Sequence, residues 1–152
     1  MGCGKGYDSG SCVGDILREI AGAQRDIVEN CCDSSCERSI SDLLGETDSG
    51  NGLDTVPIIL YCADGCKPFK GYGAHPDNIG DVKSSFYFRV KSVSDDNCAV
   101  VELLRDPHCD NRSPKDPMDQ HTKHLCVTGI CITIDINCFC HVTCLPAISA
   151  FY

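Results

Sequence analysis

Fourteen cysteines punctuate this chain, and the intervals between them decide what sulfur chemistry is open to it. Cys31 and Cys32 are adjacent, and further on stand Cys32-x3-Cys36, Cys62-x3-Cys66, Cys126-x4-Cys131, Cys138-x-Cys140 and Cys140-x3-Cys144. Zinc ribbons and thioredoxin-like redox sites lean on C-x-x-C, and no two cysteines here have that spacing. C-x3-C still falls within the looser zinc-knuckle range, so a metal-binding cysteine/histidine-rich module remains the alternative function. Its ligands would be Cys109, His121, His124 and Cys126, beside His108 and with Asp106, Asp110 or Asp119 in the same stretch. A solvated loop with scattered imidazoles explains that stretch more simply, and no metal or cofactor is expected.

A thiol oxidoreductase is the second alternative. His141 follows Cys140 directly, but strand alternation would put the two on opposite faces and so disfavours a nucleophile and base pair. There is no nucleophile elbow, phosphate loop or helical H-E-x-x-H, and Gly2-Cys3-Gly4-Lys5-Gly6 lacks the preceding strand that a phosphate loop requires. No catalytic residues are assigned.

Cysteine makes up about 9% of 152 residues, a density usually reached by short secreted scaffolds too small to build a core. This chain is long enough for a core, being 42% hydrophobic and 23% charged. No apolar run of leader type follows Met1, so we expect synthesis in a reducing cytosol. Metal ligation, redox catalysis, or thiols stored for later oxidation would reconcile that compartment with so much sulfur. The net charge of −9, with no run of Lys or Arg, argues against nucleic acid and anionic lipid as partners. No segment approaches the roughly 18 apolar residues of a membrane span.

The elements that must position these cysteines begin with an arm. Residues 1–11 are rich in glycine and read as flexible, which makes Cys3 a tethered hook reaching up to roughly 33 Å. A single domain, residues 12–152, should follow. Val13, Ile16, Leu17, Ile20, Ala23, Ile27 and Val28 keep helical spacing, so we expect a helix over about 12–32, capped by Ser11 and docked on a sheet or a neighbouring copy. Residues 45–54 read as a loop.

The β region should run from about 55 to 145. Thr55 to Cys62 turns at Ala63-Asp64-Gly65 into Cys66 to Tyr72, where Cys62 and Cys66 could bridge the turn. Phe86, Phe88 and Val90 alternate with Tyr87, Arg89 and Lys91, and Ser94 to Asn97 turns that strand into Cys98 to Leu104. Residues 106–124, with Pro107, Pro114 and Pro117, should be a surface excursion, and Leu125 to Thr128 a strand. In Cys131 to Cys144 the even positions are Ile132, Ile134, Ile136, Cys138, Cys140, Val142 and Cys144, facing mostly polar odd positions. We expect a strand bent or bulged near Asn137, with Cys138 and Cys140 about 6.6 Å apart and not bonded to each other. The fold class is mainly β, an antiparallel sandwich with one N-terminal helix. Cys3, Cys12, Cys31, Cys32, Cys36 and Cys109 are the candidates for bonds between subunits. Cys62, Cys66, Cys98, Cys126, Cys131, Cys138, Cys140 and Cys144 are the candidates for the sheet or for intrachain bonds.

Two blocks carry a resemblance. Cys131-Ile-Thr-Ile-Asp-Ile-Asn-Cys-Phe-Cys-His-Val-Thr-Cys-Leu145 resembles the C-terminal signature of the cysteine-rich spore coat and exosporium proteins of the CotY/CotZ/ExsY family, and Phe88-Arg-Val-Lys-Ser-Val-Ser-Asp-Asp-Asn-Cys-Ala-Val101 is similar to that family's F-R-V block. Pro57-Ile-Ile-Leu-Tyr61 and the stretch from Cys3 to Cys36 fall where such chains have counterparts; the 106–124 loop and the tail from Ala147 depart from them. The resemblance implies a structural protein made in the mother-cell cytosol and placed on the outer coat, crust or exosporium. It implies self-assembly into a disulfide-cross-linked, hexagonal two-dimensional lattice, with itself and other coat or exosporium proteins as partners.

Overall fold

The structure, a computed structural model, describes residues 12–24, 32–45, 52–109 and 113–151. Contacts divide the chain into two compact units, residues 1–31 and 32–152. The first unit holds helix α1 (Cys12–Ala23), and Val13, Ile16, Leu17 and Ile20 of the apolar stripe are all exposed. Its buried residue is instead Asp15, which accepts a hydrogen bond from Arg18 Nη2 at 3.0 Å, one turn on. Of the expected helix 12–32, residues 25–31 lie outside the described residues, as does the arm with Cys3.

The second unit opens on a short helix that the sequence reading did not anticipate, α2 (Cys36–Leu43). Ser35 caps it, its hydroxyl accepting the Arg38 N–H at 3.0 Å. Ser39, 1% exposed, donates to the carbonyl of Leu145 at 2.7 Å. A Cys36–Cys144 disulfide fixes the same helix one turn earlier.

Seven strands follow among the described residues: β1 (Ile58–Cys62), β2 (Gly71–Gly73), β3 (Lys83–Ser85), β4 (Phe88–Val93), β5 (Cys98–Arg105), β6 (Cys126–Asp135) and β7 (Phe139–Cys144). Five of them make an antiparallel sheet in the order β6-β5-β4-β1-β7, while β2 and β3 pair as a separate ribbon. The expected β4–β5 hairpin is present with Phe88 opposite Leu103. Leu103 and Leu104, adjacent in sequence, are both fully buried because both faces of the sheet are covered. One face packs Phe88, Val101, Leu103, Leu60 and Ile130 with Ile132, Ile134 and Phe139. The other packs Ile59, Phe86, Tyr87, Leu104, Leu125 and Ala150.

The fold is mainly β as expected, but the second layer is thinner than a sandwich needs. Much of it is the β2–β3 ribbon, brought so close that a Cβ on Gly71 would sit 2.8 Å from Ile132 Cδ1, and one on Gly73 closer still to Ile130. Glycine at both places is what lets the ribbon approach. Between Cys66 and Gly71 a single bridge, Tyr61 to Pro68, stands where a full strand was expected.

The stretch 131–144 is not one bent strand. It splits at a turn, Ile136–Cys138, into β6 and β7 at opposite edges of the sheet. Four interstrand spacings would separate the edges of a flat sheet by about 19 Å. Four Cα steps, from Asp135 to Phe139, reach at most about 14 Å. The sheet therefore curls there, bringing its edges within about 14 Å of each other, and the turn is held by Asp135, whose carboxylate accepts the Asn137 N–H at 2.9 Å.

The 106–124 excursion is tied to the sheet where it is described, more than a solvated loop would be. Asp106 accepts the backbone N–H groups of His108 at 2.9 Å and His124 at 3.2 Å, closing both ends. Gln120 is buried, accepts from the Phe86 N–H at 2.9 Å and donates to Ser85 Oγ at 2.8 Å. Lys70 Nζ reaches the carbonyl of Pro114 at 2.7 Å.

Candidate functional site

Sulfur gathers where β1 ends. The Cys62 N–H donates to the carbonyl of Lys67 at 2.8 Å across the turn, and Cys66 takes a φ of 53°, a left-handed conformation rare for a residue with a side chain. β7 runs beside β1 with Leu60 opposite Val142 and Tyr61 opposite His141, and then Cys62 pairs with Phe139. Cys140 is thus the extra residue of a β-bulge. The Ala63 N–H closes the tip on the carbonyl of Cys138 at 2.7 Å.

The bulge breaks the even-and-odd pattern read from the sequence. Phe139 turns onto Phe69, ring centroids 5.2 Å apart and nearly perpendicular, while His141 stacks on Tyr61 at 4.3 Å. Cys140 is re-aimed toward the turn: its thiol donates to the carbonyl of Cys62 at 3.6 Å, on the side of the strand end where Cys66 stands. Lost hydration, the nearby Cys66 side chain, and the charge that Cys66 or Cys62 would carry as a thiolate hold the Cys140 thiol above the ordinary cysteine value. Two elements thereby bring three cysteines to one tip, which spacing in sequence did not reveal for Cys140.

The other cysteines are dispersed. Cys98 lies at the start of β5 opposite Asp135, and Cys131 lies on β6 opposite Glu102. Both are exposed, as are Cys32 and Cys138. Cys126 is buried, its thiol donating to the carbonyl of His124 at 3.4 Å. Cys36, offered above for bonds between subunits, is held within the chain by Cys144, and Cys12 is also disulfide-bonded. Cys3 and Cys31 lie outside the described residues.

The ligand set considered for metal does not converge. Cys109 and His121 border one small cleft, Cys109 and Cys126 a second of about 490 Å³, and His124 and Cys126 a groove of about 900 Å³ with Leu125 and Phe151, so that none of the three is lined by all four. His108 and His124 meet edge to face at 5.9 Å. Asp106 is committed to the backbone. The His108 amide above all holds its carboxyl below the usual value against the opposing loss of hydration, aided by the His124 amide and the two imidazoles. Among the described residues, no group of three or more His, Cys, Asp or Glu is placed to hold a metal ion. Nor is any described helix long and apolar enough to cross a membrane.

An apolar trough of about 380 Å³ opens on the curled sheet, lined by Leu60, Val90, Val101, Ile134 and Val142, with Cys140 at its margin. Val90, Val93 and Val142 remain 44%, 61% and 44% exposed, an uncovered portion of an otherwise packed face.

The spore coat protein Z family model matches residues 1–147. The chain belongs to that family. It is 29% identical over 147 residues to spore coat protein Z of Bacillus subtilis (strain 168), covering 89% of this chain and 88% of that one. No solved structure matches the chain. Membership gives it a structural role in the spore coat and places it at the spore surface, as the two resemblance blocks implied.

Proposed function

We propose that this spore coat protein is a self-assembling structural component whose copies pack into a two-dimensional lattice and are then fastened by disulfides, without catalytic turnover. One observation carries the reading: the folded second unit leaves Cys32, Cys66, Cys98, Cys131, Cys138 and Cys140 exposed, while the one bridge described within it, Cys36–Cys144, already ties helix to sheet. A chain with both sheet faces packed needs no further staples to hold its core, so exposed sulfur on opposite edges is better suited to bonds between chains. Lattice contacts would come from surface area, including the exposed valines of the trough, with sulfur locking them afterwards. The arm with Cys3 would extend the fastening to neighbours whose folded bodies do not touch.

Electron microscopy of the purified full-length protein tests assembly, with ordered sheets or rings expected and monodisperse particles overturning it. Electrophoresis tests fastening separately. Oxidised protein should run as ladders or fail to enter the gel and collapse to 16.4 kDa with reductant. A clean oxidised monomer would leave no room for bonds between chains.

A further inference from the structure

We propose that Cys66 and Cys140, with Cys62 beside them, form a thiol–disulfide exchange site that takes an external disulfide and resolves it into an intrachain Cys66–Cys140 bond. The inference is separate from lattice formation, since it needs only this chain and a disulfide. Its basis is the geometry of the β1 tip. Cys66 stands exposed on a turn, in a left-handed conformation that sets it apart from the ladder. Cys140 is the bulged residue of an edge strand, so its sulfur can move without breaking a paired position of β7. The Cys140 thiol donates to the carbonyl of Cys62 at 3.6 Å, at the mouth of the turn on which Cys66 stands, and Cys66 lies near enough to help hold that thiol protonated. Exposed sulfur elsewhere in the second unit, as at Cys98 and Cys131, faces Asp135 and Glu102 across the ladder, and no thiol.

The steps balance. Cys66 thiolate attacks one sulfur of the external disulfide; the Cys66–S bond forms, the S–S bond breaks, and the departing thiolate takes a proton from water. Cys140 then gives up its proton and attacks Cys66 sulfur, forming the intrachain bond and expelling the second external thiol. The external disulfide gains two electrons and the pair loses two. A thiol held protonated until this second step suits Cys140 to resolve and Cys66 to attack. On a spore surface such a site would remove misplaced bonds or accept oxidising equivalents, depending on which disulfide reaches it.

The test uses the full-length protein, reduced and freed of reductant. One arm receives oxidised glutathione. The other receives an oxidised disulfide-linked oligomer of the Cys66→Ser/Cys140→Ser variant. Samples are quenched with an alkylating agent over time and mapped by peptide mass spectrometry. A short-lived adduct on Cys66 followed by a Cys66–Cys140 bond is expected. In Cys140→Ser and Cys140→Ala the adduct should persist more than about tenfold longer, because the thiol that resolves it is gone and Cys62 does not replace it. Cys131→Ser should behave as the unsubstituted protein. Resolution of glutathione alone would assign the site to small disulfides, and resolution of the oligomer would assign it to bonds between copies. Absence of the Cys66–Cys140 bond in both arms, a bond from Cys66 to Cys62 in its place, or an adduct equally short-lived in both Cys140 variants would overturn the proposal.

Discussion

The strands β6 and β7 come from one continuous stretch and form the two edges of one sheet, yet they obey different rules. From Ile130 onward β6 keeps strict alternation, with Ile130, Ile132 and Ile134 packed inward and Cys131, Thr133 and Asp135 exposed. On β7 the alternation breaks at Cys140, so that Phe139 and Val142 share a face three residues apart. A one-residue slip of β6 would expose three isoleucines, each worth about 1.5–3 kcal/mol when fully buried, so its register is strongly held. On β7 one aromatic outweighs regularity. Seating Phe139 on Phe69 leaves the ladder one residue out of step, and the residue displaced is a thiol.

The largest expected effect tests that asymmetry directly. Ile130 is 5% exposed and lies under the β2–β3 ribbon, so Ile130→Ala should lower the unfolding free energy by about 2–5 kcal/mol. Val142→Ala, at a site already 44% exposed, should cost under about 1 kcal/mol. Urea titration of both variants decides it, and equal losses would mean that the edges do not differ. Next comes the support that β7 receives from α2. The Cys36–Cys144 bridge closes a sequence separation of 108 residues, so Cys36→Ser should cost about 2–4 kcal/mol in the absence of reductant. Little or no loss would show that β7 is held by β1 alone.

What was legible in the sequence follows from how local its cause was. The β4–β5 hairpin announced itself through Phe88 and Val90 alternating with Arg89 and Lys91 and a polar turn at Ser94 to Asn97, all within one short segment. The inward isoleucines of β6 were equally plain. Helix α2 was not, because eight residues with few apolar positions make a marginal helix, and its anchors are Leu145 and Cys144, more than a hundred residues away. The order of the 106–124 loop hangs on Gln120 and Ser85, separated by 35 residues. The split of 131–144 was invisible for a different reason: Asn137 signalled a break, but nothing local said that the two halves would go to opposite edges. The thiol trio depends in turn on the bulge that this split permits.

A smaller effect concerns how each edge is entered. β6 is reached through the loop that Asp106 closes, whereas β7 is reached through the turn at Ile136. Replacing Asp106 with Asn should cost about 0.5–1.5 kcal/mol, since two part-buried backbone donors lose a charged acceptor. The folded carboxyl titrates below its ordinary value of about 3.9, so its stabilisation is fully present above that value and is lost as pH falls through the folded one. Asp54 shifts the same way: lost hydration opposes the shift, but the Ala150 amide, the Thr55 hydroxyl, the Phe151 amide and Arg89 outweigh it. Urea midpoints should therefore drop between pH 5 and pH 2, as an order-of-magnitude window about the ordinary value, and Asp106→Asn should flatten part of that drop. An identical acid slope in the variant would mean that Asp106 contributes nothing to it.

The smallest effect is confined to the bulged edge and is read in rate rather than stability. Because the folded Cys140 thiol titrates above the ordinary cysteine value of about 8.5, its thiolate is scarce at neutral pH, and alkylation depends on the thiolate. The pH at which iodoacetamide labels Cys140 half-maximally should lie above that of a small thiol measured alongside. The same raised value favours the folded state while the thiol is protonated, and that contribution is lost as pH rises through the folded value, so labelling and loosening of β7 should grow together in alkali. Cys66→Ala removes both the polar neighbour and the nearby charge and should bring the Cys140 profile down toward the small thiol. If the profile stays where it was, hydration alone sets it, and β7 owes its displaced thiol to the seating of Phe139 without any help from the turn beside it.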